Sequence, residues 1–322
     1  MAVYTHLAAE DLAGLIGEYD VGALVSAKGI AEGVSNSNWL LETTAGRFIL
    51  TMYERRIDTA DLPFFLGLLD HLAGKGCPVP RTIHDRSGAA FRTIDGKAVA
   101  LIEFLPGVSV DRPRREQARA VGEALAGIHL AAADYRAERS NAMDLAAWRS
   151  MLGDCSEVGL AGIDPSLPTL VREELGFLEA EWPRDLPRSV IHADLFPDNV
   201  LMLGDKVSGL IDFYFACADI TAYDLAVTHA AWCFAPDGAF RPDIAAALMA
   251  GYETARPLSA QESAALPVLA RGAAMRFLAS RAYDWLHTPP DALVTRKDPM
   301  AFARRLEFYT ATGGEAFPTA AA

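Results

Sequence analysis

Nine residues in the second half of the chain gather groups able to handle a proton and a hard cation. They are His192-Ala193-Asp194-Leu195-Phe196-Pro197-Asp198-Asn199 and, further on, Asp212 within Leu210-Ile211-Asp212-Phe213. Phosphoryl transfer asks little covalent work of a protein; it asks for a placed acceptor hydroxyl and for cations that neutralise the phosphate oxygens. Asp194 suits the first task, accepting a hydrogen bond from the hydroxyl and taking its proton. Asn199 and Asp212 suit the second, because Mg²⁺ prefers hard oxygen ligands and commonly takes only one or two carboxylates while keeping several waters. One at a time these residues are ordinary, since a His beside an apolar run is usually a satisfied core residue and an Asp after a strand is usually a turn or cap. Their order, spacing and flanking apolar runs are what mark them as a set.

Elements must hold that set in place. The short runs Val190-Ile191, Val200-Leu201-Met202 and Leu210-Ile211 predict small strands around a loop of functional side chains. From Arg114 onward the surrounding chain is otherwise helical, with an apolar stripe of Val121, Leu125 and Ile128 and comparable stripes in 169–182, 243–255 and 262–286. The front half reads differently. A helix beginning near Thr5 or Ala9 carries Leu12, Leu15 and Ile16 on one face before Gly17; β-like runs follow at 23–30, 39–43 and 47–53. A helix over 62–75 and two strands at 90–94 and 97–104, joined by Asp95-Gly96, complete it. The pattern changes after Leu105-Pro106-Gly107, which predicts an α+β chain with a sheet-bearing part over 1–105 and a helical part over 106–322. Between the first two β-runs, Gly33, Ser35, Asn36 and Asn38 could cradle phosphate oxygens through backbone N–H groups and short polar side chains, although the same residues also suit a plain β-turn.

The HxDxxxxN element followed by apolar-Asp-Phe resembles the catalytic and metal-binding loops of protein kinases in their aminoglycoside-phosphotransferase-like branch, with Ala193 in the place of the usual Arg or Gly. The resemblance implies ATP and Mg²⁺ as cofactors and a bilobal protein-kinase-like fold: a small antiparallel-sheet N-lobe with one packed helix, and a larger, mainly helical C-lobe. It also implies that His192 braces the loop, that Asp224 in Tyr223-Asp224-Leu225-Ala226 supports it from a helix, and that backbone groups of Glu103 and Leu105 form the adenine hinge. The lysine such kinases carry on the third strand is missing, since Thr51 stands in its place. Arg55 or Arg56 could reach in, or Mg²⁺ and backbone donors could suffice. Asp61 opens the helix that usually supplies the partner of that lysine and is given no role.

Beyond these elements the chain is similar to the homoserine kinases of the aminoglycoside-phosphotransferase-like type along nearly its whole length. The residues that carry this are 33–39 (GVSNSNW), 48–54 (FILTMYE), 61–66 (DLPFFL), 192–196 (HADLF) and 276–281 (RFLASR). Thr51 in place of lysine fits this branch. The resemblance implies that ATP and L-homoserine give O-phospho-L-homoserine and ADP, in threonine biosynthesis. A zwitterionic acceptor wants one cationic and one anionic contact beside its hydroxyl. Arg276 and Arg281 are the candidates for its carboxylate, and their spacing on a helix favours one rather than both. Asp198, Asp219 and Glu32 are candidates for its ammonium group. The alternatives are a kinase of choline, an aminoglycoside or methylthioribose, and a catalytically dead nucleotide-binding module that regulates a partner.

Composition narrows the field. With 322 residues, 51% hydrophobic and 22% charged, the chain can bury the cores of two lobes and shape a cleft. A net charge of −13 argues against broad binding to nucleic acid or anionic membrane, so a small-molecule substrate is expected. The basic pairs Arg114-Arg115 and Arg304-Arg305 read as solvated surface. Cys77, Cys155, Cys217 and Cys233 form no CxxC pair, which excludes the usual zinc and redox motifs. The N-terminal residues lack a basic start followed by a long apolar core, and no later stretch is long and apolar enough to span a bilayer, which predicts a cytoplasmic protein.

Overall fold

A computed structural model describes residues 7–30, 36–54, 58–289 and 296–318. Helix α1 (Ala9–Ile16) buries Leu12, Leu15 and Ile16, the one apolar face that its sequence offers. Strands β1 (Leu24–Ile30), β2 (Asn36–Thr43) and β3 (Arg47–Tyr53) follow as an antiparallel meander. Side chains alternate across a strand. On β3 this sends Leu50 and Met52 into a core with Trp39, Leu41 and α1, and Tyr53 into a second core on the opposite face. Helix α2 (Leu62–Gly74) covers that second face with Leu62, Phe65, Leu66 and Leu69. Strands β4 (Thr82–Ile83), β5 (Arg92–Ile94) and β6 (Lys97–Glu103) finish the sheet, in the order β1-β2-β3-β6-β4 with β5 also on β6. The β5–β6 turn runs through Asp95 at φ 50° and Gly96 at φ 77°, the left-handed pair that a two-residue hairpin demands.

Helices α3 (Arg115–Ala131), α4 (Leu145–Cys155), α5 (Glu157–Ile163) and α6 (Leu167–Glu181) begin the larger region. Four short strands come next: β7 (Arg188–Ile191), β8 (Val200–Leu203), β9 (Lys206–Leu210) and β10 (Cys217–Ile220). They form two antiparallel pairs, β7 with β10 and β8 with β9. Helix α7 (Thr221–Trp232) is buried along its whole length, and its sequence is correspondingly without a polar face. Around it lie α8 (Pro242–Ala255), α9 (Ala260–His287) and α10 (Met300–Thr312). Two glycines let α3 and α8 touch backbone to backbone. A Cβ at Gly122 would stand 2.2 Å from the Leu248 carbonyl oxygen, and one at Gly251 would stand 2.0 Å from that of Arg119. Among the described residues, no helix is long and apolar enough to cross a membrane.

The predicted elements are present with shifted ends, and β2 differs instructively. Pairing with β3 begins at Asn36 opposite Tyr53, so the strand claims three residues that read as loop. The short elements β4, β10, α4, α5 and α10 carry no pattern strong enough to announce them.

Candidate active site

The loop joining β7 to β8 carries Asp194 and Asn199, and the end of β9 carries Asp212. Two residues there take left-handed backbone conformations rare outside glycine, Ala193 at φ 63° and Asp212 at φ 65°. Such backbone persists only where its surroundings hold it. Asp224, buried in α7, does so by accepting the N–H groups of His192 and Ala193, each at 2.7 Å, and of His129 Nε2 at 2.9 Å. His129 Nδ1 in turn meets the Tyr252 hydroxyl at 2.8 Å, across the close α3–α8 contact. Burial alone would push the Asp224 carboxyl up; the hydrogen bonds outweigh it and hold the group below the usual carboxylate range.

His192 links the two halves of the site. Its Nδ1 accepts the Asp194 N–H at 3.2 Å, so the proton sits on Nε2, which donates to the Ile211 carbonyl at 3.0 Å. Burial lowers its pKa and keeps the ring neutral. Its face packs on Phe213 at 4.4 Å, so Asp194 is set against Asp212 by one imidazole.

Arg276 reaches the same turn from α9. It is 2% exposed, donates Nη1 to the Ala193 carbonyl, and brings Nη2 to 4.0 Å from Asp194 Oδ1. Phe277 and Phe215 lie under its guanidinium at 4.5 and 5.1 Å. Burial raises the Asp194 carboxyl to about 7; Arg276 pulls it down, while Asp212 and Asp198 push it up. Burial likewise raises Asp212 to about 6, with Asp198 adding to the rise and the Tyr214 N–H and Lys297 opposing it.

Asn199 turns its Nδ2 to the Asp194 carbonyl at 2.8 Å and to Asp194 Oδ2 at 3.3 Å, which leaves Oδ1 facing away. Its own carbonyl accepts the Ile211 N–H at 3.0 Å, so Asn199 and Asp212 lie side by side. This donor set offers two hard oxygens, and among the described residues no cluster of three or more His, Cys, Asp or Glu side chains could hold a metal. It fits a hard divalent cation that takes its remaining ligands from water and phosphate.

The position of the absent lysine is filled by hydroxyls. Thr51, 2% exposed, donates to Asn38 Oδ1 at 2.8 Å. The Tyr214 hydroxyl lies within hydrogen-bonding reach of Thr51 and 3.2 Å from that of Tyr53. Burial raises Tyr214 to about 12 and Tyr53 well above its usual value, so the group is neutral. Asp61, which opens the way into α2, pairs with Arg139 at 2.6 Å, and Arg139 also donates to the Ala216 carbonyl at 3.2 Å. The start of α2 is thereby tied to the segment that follows Asp212.

The other predicted residues divide. Gly33, Ser35, Glu32, Arg55 and Arg56 lie outside the described residues. Asn36 and Asn38 stand on β2 rather than in a loop; the Asn36 Oδ1 is buried with no hydrogen-bond partner among the described residues. The Glu103 N–H is committed to the Arg81 carbonyl at 2.9 Å, so it is not a donor for adenine, and Leu105 packs its side chain over Gly209. Asp219 is held by Asn141 at 2.7 Å and Arg188 at 3.3 Å and is not open to a ligand's ammonium, whereas Asp198 is exposed. Of the two arginines considered for a carboxylate, Arg276 is enclosed and spent on the Ala193 carbonyl, which leaves Arg281. Arg305 corrects the reading of a solvated pair: Arg304 is exposed and bridged to Asp298 at 3.3 Å, but Arg305 folds inward with a buried Nε. His129, Tyr252, Tyr214, Tyr53 and Lys297 have no local spacing that signals them, because each meets the site through another element.

Comparison with known proteins agrees with this geometry. A homoserine kinase of Gluconobacter oxydans is 54% identical over 311 residues, covering 96% of this chain and 98% of that protein. One of Methylobacterium radiotolerans is 52% identical over 309 residues, covering 96% of each. Among solved structures, spectinomycin phosphotransferase in complex with ADP and spectinomycin matches with a TM-score of 0.73 at 14% identity, over 96% of this chain and 100% of that one. A microcompartment-associated aminopropanol kinase matches at 0.71 and 19%, over 96% and 98%. These likenesses establish the protein-kinase-like fold. The model of the phosphotransferase enzyme family matches residues 26–258, a stretch that takes in the sheet, the hydroxyl group at Thr51 and the loop from His192 to Asp212, and the chain belongs to that family.

Proposed function

We infer that the chain is a homoserine kinase, which transfers the γ-phosphoryl group of ATP to the hydroxyl of L-homoserine and so serves threonine biosynthesis. The observation that carries this is identity above 50% with homoserine kinases over nearly the full length of both chains.

Asp194 is the base in this reading: it accepts a hydrogen bond from the acceptor hydroxyl and takes its proton as the new P–O bond forms. Asn199 Oδ1 and the Asp212 carboxylate would hold Mg²⁺, which when bound neutralises charge on the phosphate oxygens. Asp224, through the His192 and Ala193 N–H groups, and Arg276, through the Ala193 carbonyl, fix the turn that aims Asp194. Arg276 is thus a positioning residue. The backbone near Leu105, where sheet gives way to helices, is the seat for adenine and the boundary between lobes at 105/106. Gly33, Ser35, Asn36 and Asn38 are the candidates to hold the phosphates, and the exposed Asp198 suits the acceptor's ammonium group.

An acceptor panel measured by ADP release tests the reading. L-Homoserine should be turned over far faster than choline, an aminoglycoside or methylthioribose. Turnover on choline with none on homoserine would overturn it.

A further inference from the structure

We propose that Arg281 of α9 and Arg305 of α10 together form the receptor for the acceptor's α-carboxylate. The proposal rests on the homoserine reading and names the groups that select an amino-acid acceptor over a plain amino alcohol.

Both guanidiniums lie over one ring, Phe302, at 4.5 and 4.3 Å. Phe302 packs on Phe277 at 4.9 Å and on Phe196 at 6.1 Å, and Phe196 follows Asp194 by two residues in the catalytic loop. The pair therefore shares an aromatic cluster with the residues that handle the hydroxyl. An acceptor with its hydroxyl at Asp194 and its carboxylate at the arginines would lie along that cluster.

Charge balance singles the pair out. Three other cations of this region are matched: Arg304 with Asp298 at 3.3 Å, Lys297 with Asp198 at 3.9 Å, and Arg271 with Glu174 at 2.7 Å. Among the described residues, neither Arg281 nor Arg305 forms an ion pair. Arg281 donates to the Asp298 carbonyl at 3.2 Å, and the Arg305 Nε is buried with no hydrogen-bond partner among the described residues. A half-buried guanidinium with no ion-pair partner is costly, and two over the same ring more so. Burial, with Arg305 adding to it and the carboxylates of Asp298, Asp194 and Asp198 opposing it, lowers Arg281 to about 10, and burial lowers Arg305 as well. Arg281 feels the carboxylates of Asp298, Asp194 and Asp198 without pairing with any of them, which places this unpaired positive charge beside the loop of Asp194. A carboxylate offers planar oxygens that suit guanidinium donors, and one such group would serve both arginines.

The test compares the wild type with Arg281→Leu, Arg305→Leu, Arg305→Lys and, as a control on the matched neighbour, Arg304→Leu. For each, kcat and KM are measured for L-homoserine, for 3-aminopropan-1-ol (homoserine without its carboxylate) and for ATP, with the thermal midpoint as a check on folding. Arg305→Leu should raise the homoserine KM on the order of 10- to 100-fold, the loss expected of a charge-assisted hydrogen bond. KM for aminopropanol and ATP should stay within about twofold, Arg305→Lys should recover part of the loss, and Arg304→Leu should change nothing. If Arg305→Leu does not fold, Arg281→Leu supplies the same readouts. A folded variant with an unchanged homoserine KM overturns the receptor, and an equal rise for ATP assigns the arginines to the nucleotide instead. Wild-type turnover of aminopropanol equal to that of homoserine also overturns the receptor while leaving the homoserine kinase reading standing; absence of homoserine turnover fells that reading itself.

Discussion

The turn that carries Asp194 and the Thr51 position are built on opposite principles. At the turn, charge is concentrated and the backbone is held on both sides: Asp224 takes the His192 and Ala193 N–H groups, Arg276 gives to the Ala193 carbonyl that follows them, and His192 bridges to Ile211. At Thr51, where a kinase of this fold would carry an ammonium group, the chain places a neutral chain of hydroxyls running through Asn38, Tyr214 and Tyr53. The first region repays its desolvation cost with charge-assisted hydrogen bonds; the second never incurs it. On the proposed function, charge is kept where the proton and the cation would be handled, and a neutral group stands where a phosphate would be anchored.

That contrast can be broken or sharpened in four steps. Asp194→Asn should cut kcat by about 10²–10⁴-fold, measured as ADP release on homoserine, with ATP binding and the thermal midpoint kept. Unchanged turnover would remove the base from the charged region. Asp224→Asn keeps the shape but can accept only one of the two backbone N–H groups through its single amide oxygen. It should cost about 3 kcal/mol or more in chemical denaturation and lower kcat as well. Thr51→Lys tests the neutral region directly. A buried ammonium among hydroxyls should lower stability by about 2 kcal/mol or more without improving kcat/KM for ATP. A gain in kcat/KM would show that the site is a lysine site left empty. Tyr214→Phe, the mildest change, should cost about 1 kcal/mol and shift the ATP KM only a few-fold, as expected when one neutral hydrogen bond is lost.

Legibility followed distance along the chain. Asp194 and Asn199 are five residues apart on one loop and Asp212 follows one hairpin later, so their spacing could be read directly. The hairpin at Asp95-Gly96 and the apolar faces of α1, α2 and α3 were equally open to reading, because turns and helices repeat over a few residues. Asn36 was misread as loop because its strand character comes from pairing with Tyr53, not from its own propensity. Asp61 offered no role until Arg139, far off in the helical region, met it.

The same division separates Arg304 from Arg305. By sequence they form one basic pair; in the fold one reaches solvent and Asp298, while the other turns onto Phe302 beside Arg281. The α+β architecture and the family were legible along the chain, as was the candidate set of Asp194, Asn199 and Asp212, since each rests on short-range spacing or on identity along the chain. That Arg276 serves the loop, that tyrosine hydroxyls lie beside Thr51, and that Arg281 and Arg305 share the Phe302 ring are outcomes of the tertiary structure alone. Those outcomes depend on which side chains are buried together from distant segments, and on whether each buried charge finds a partner there.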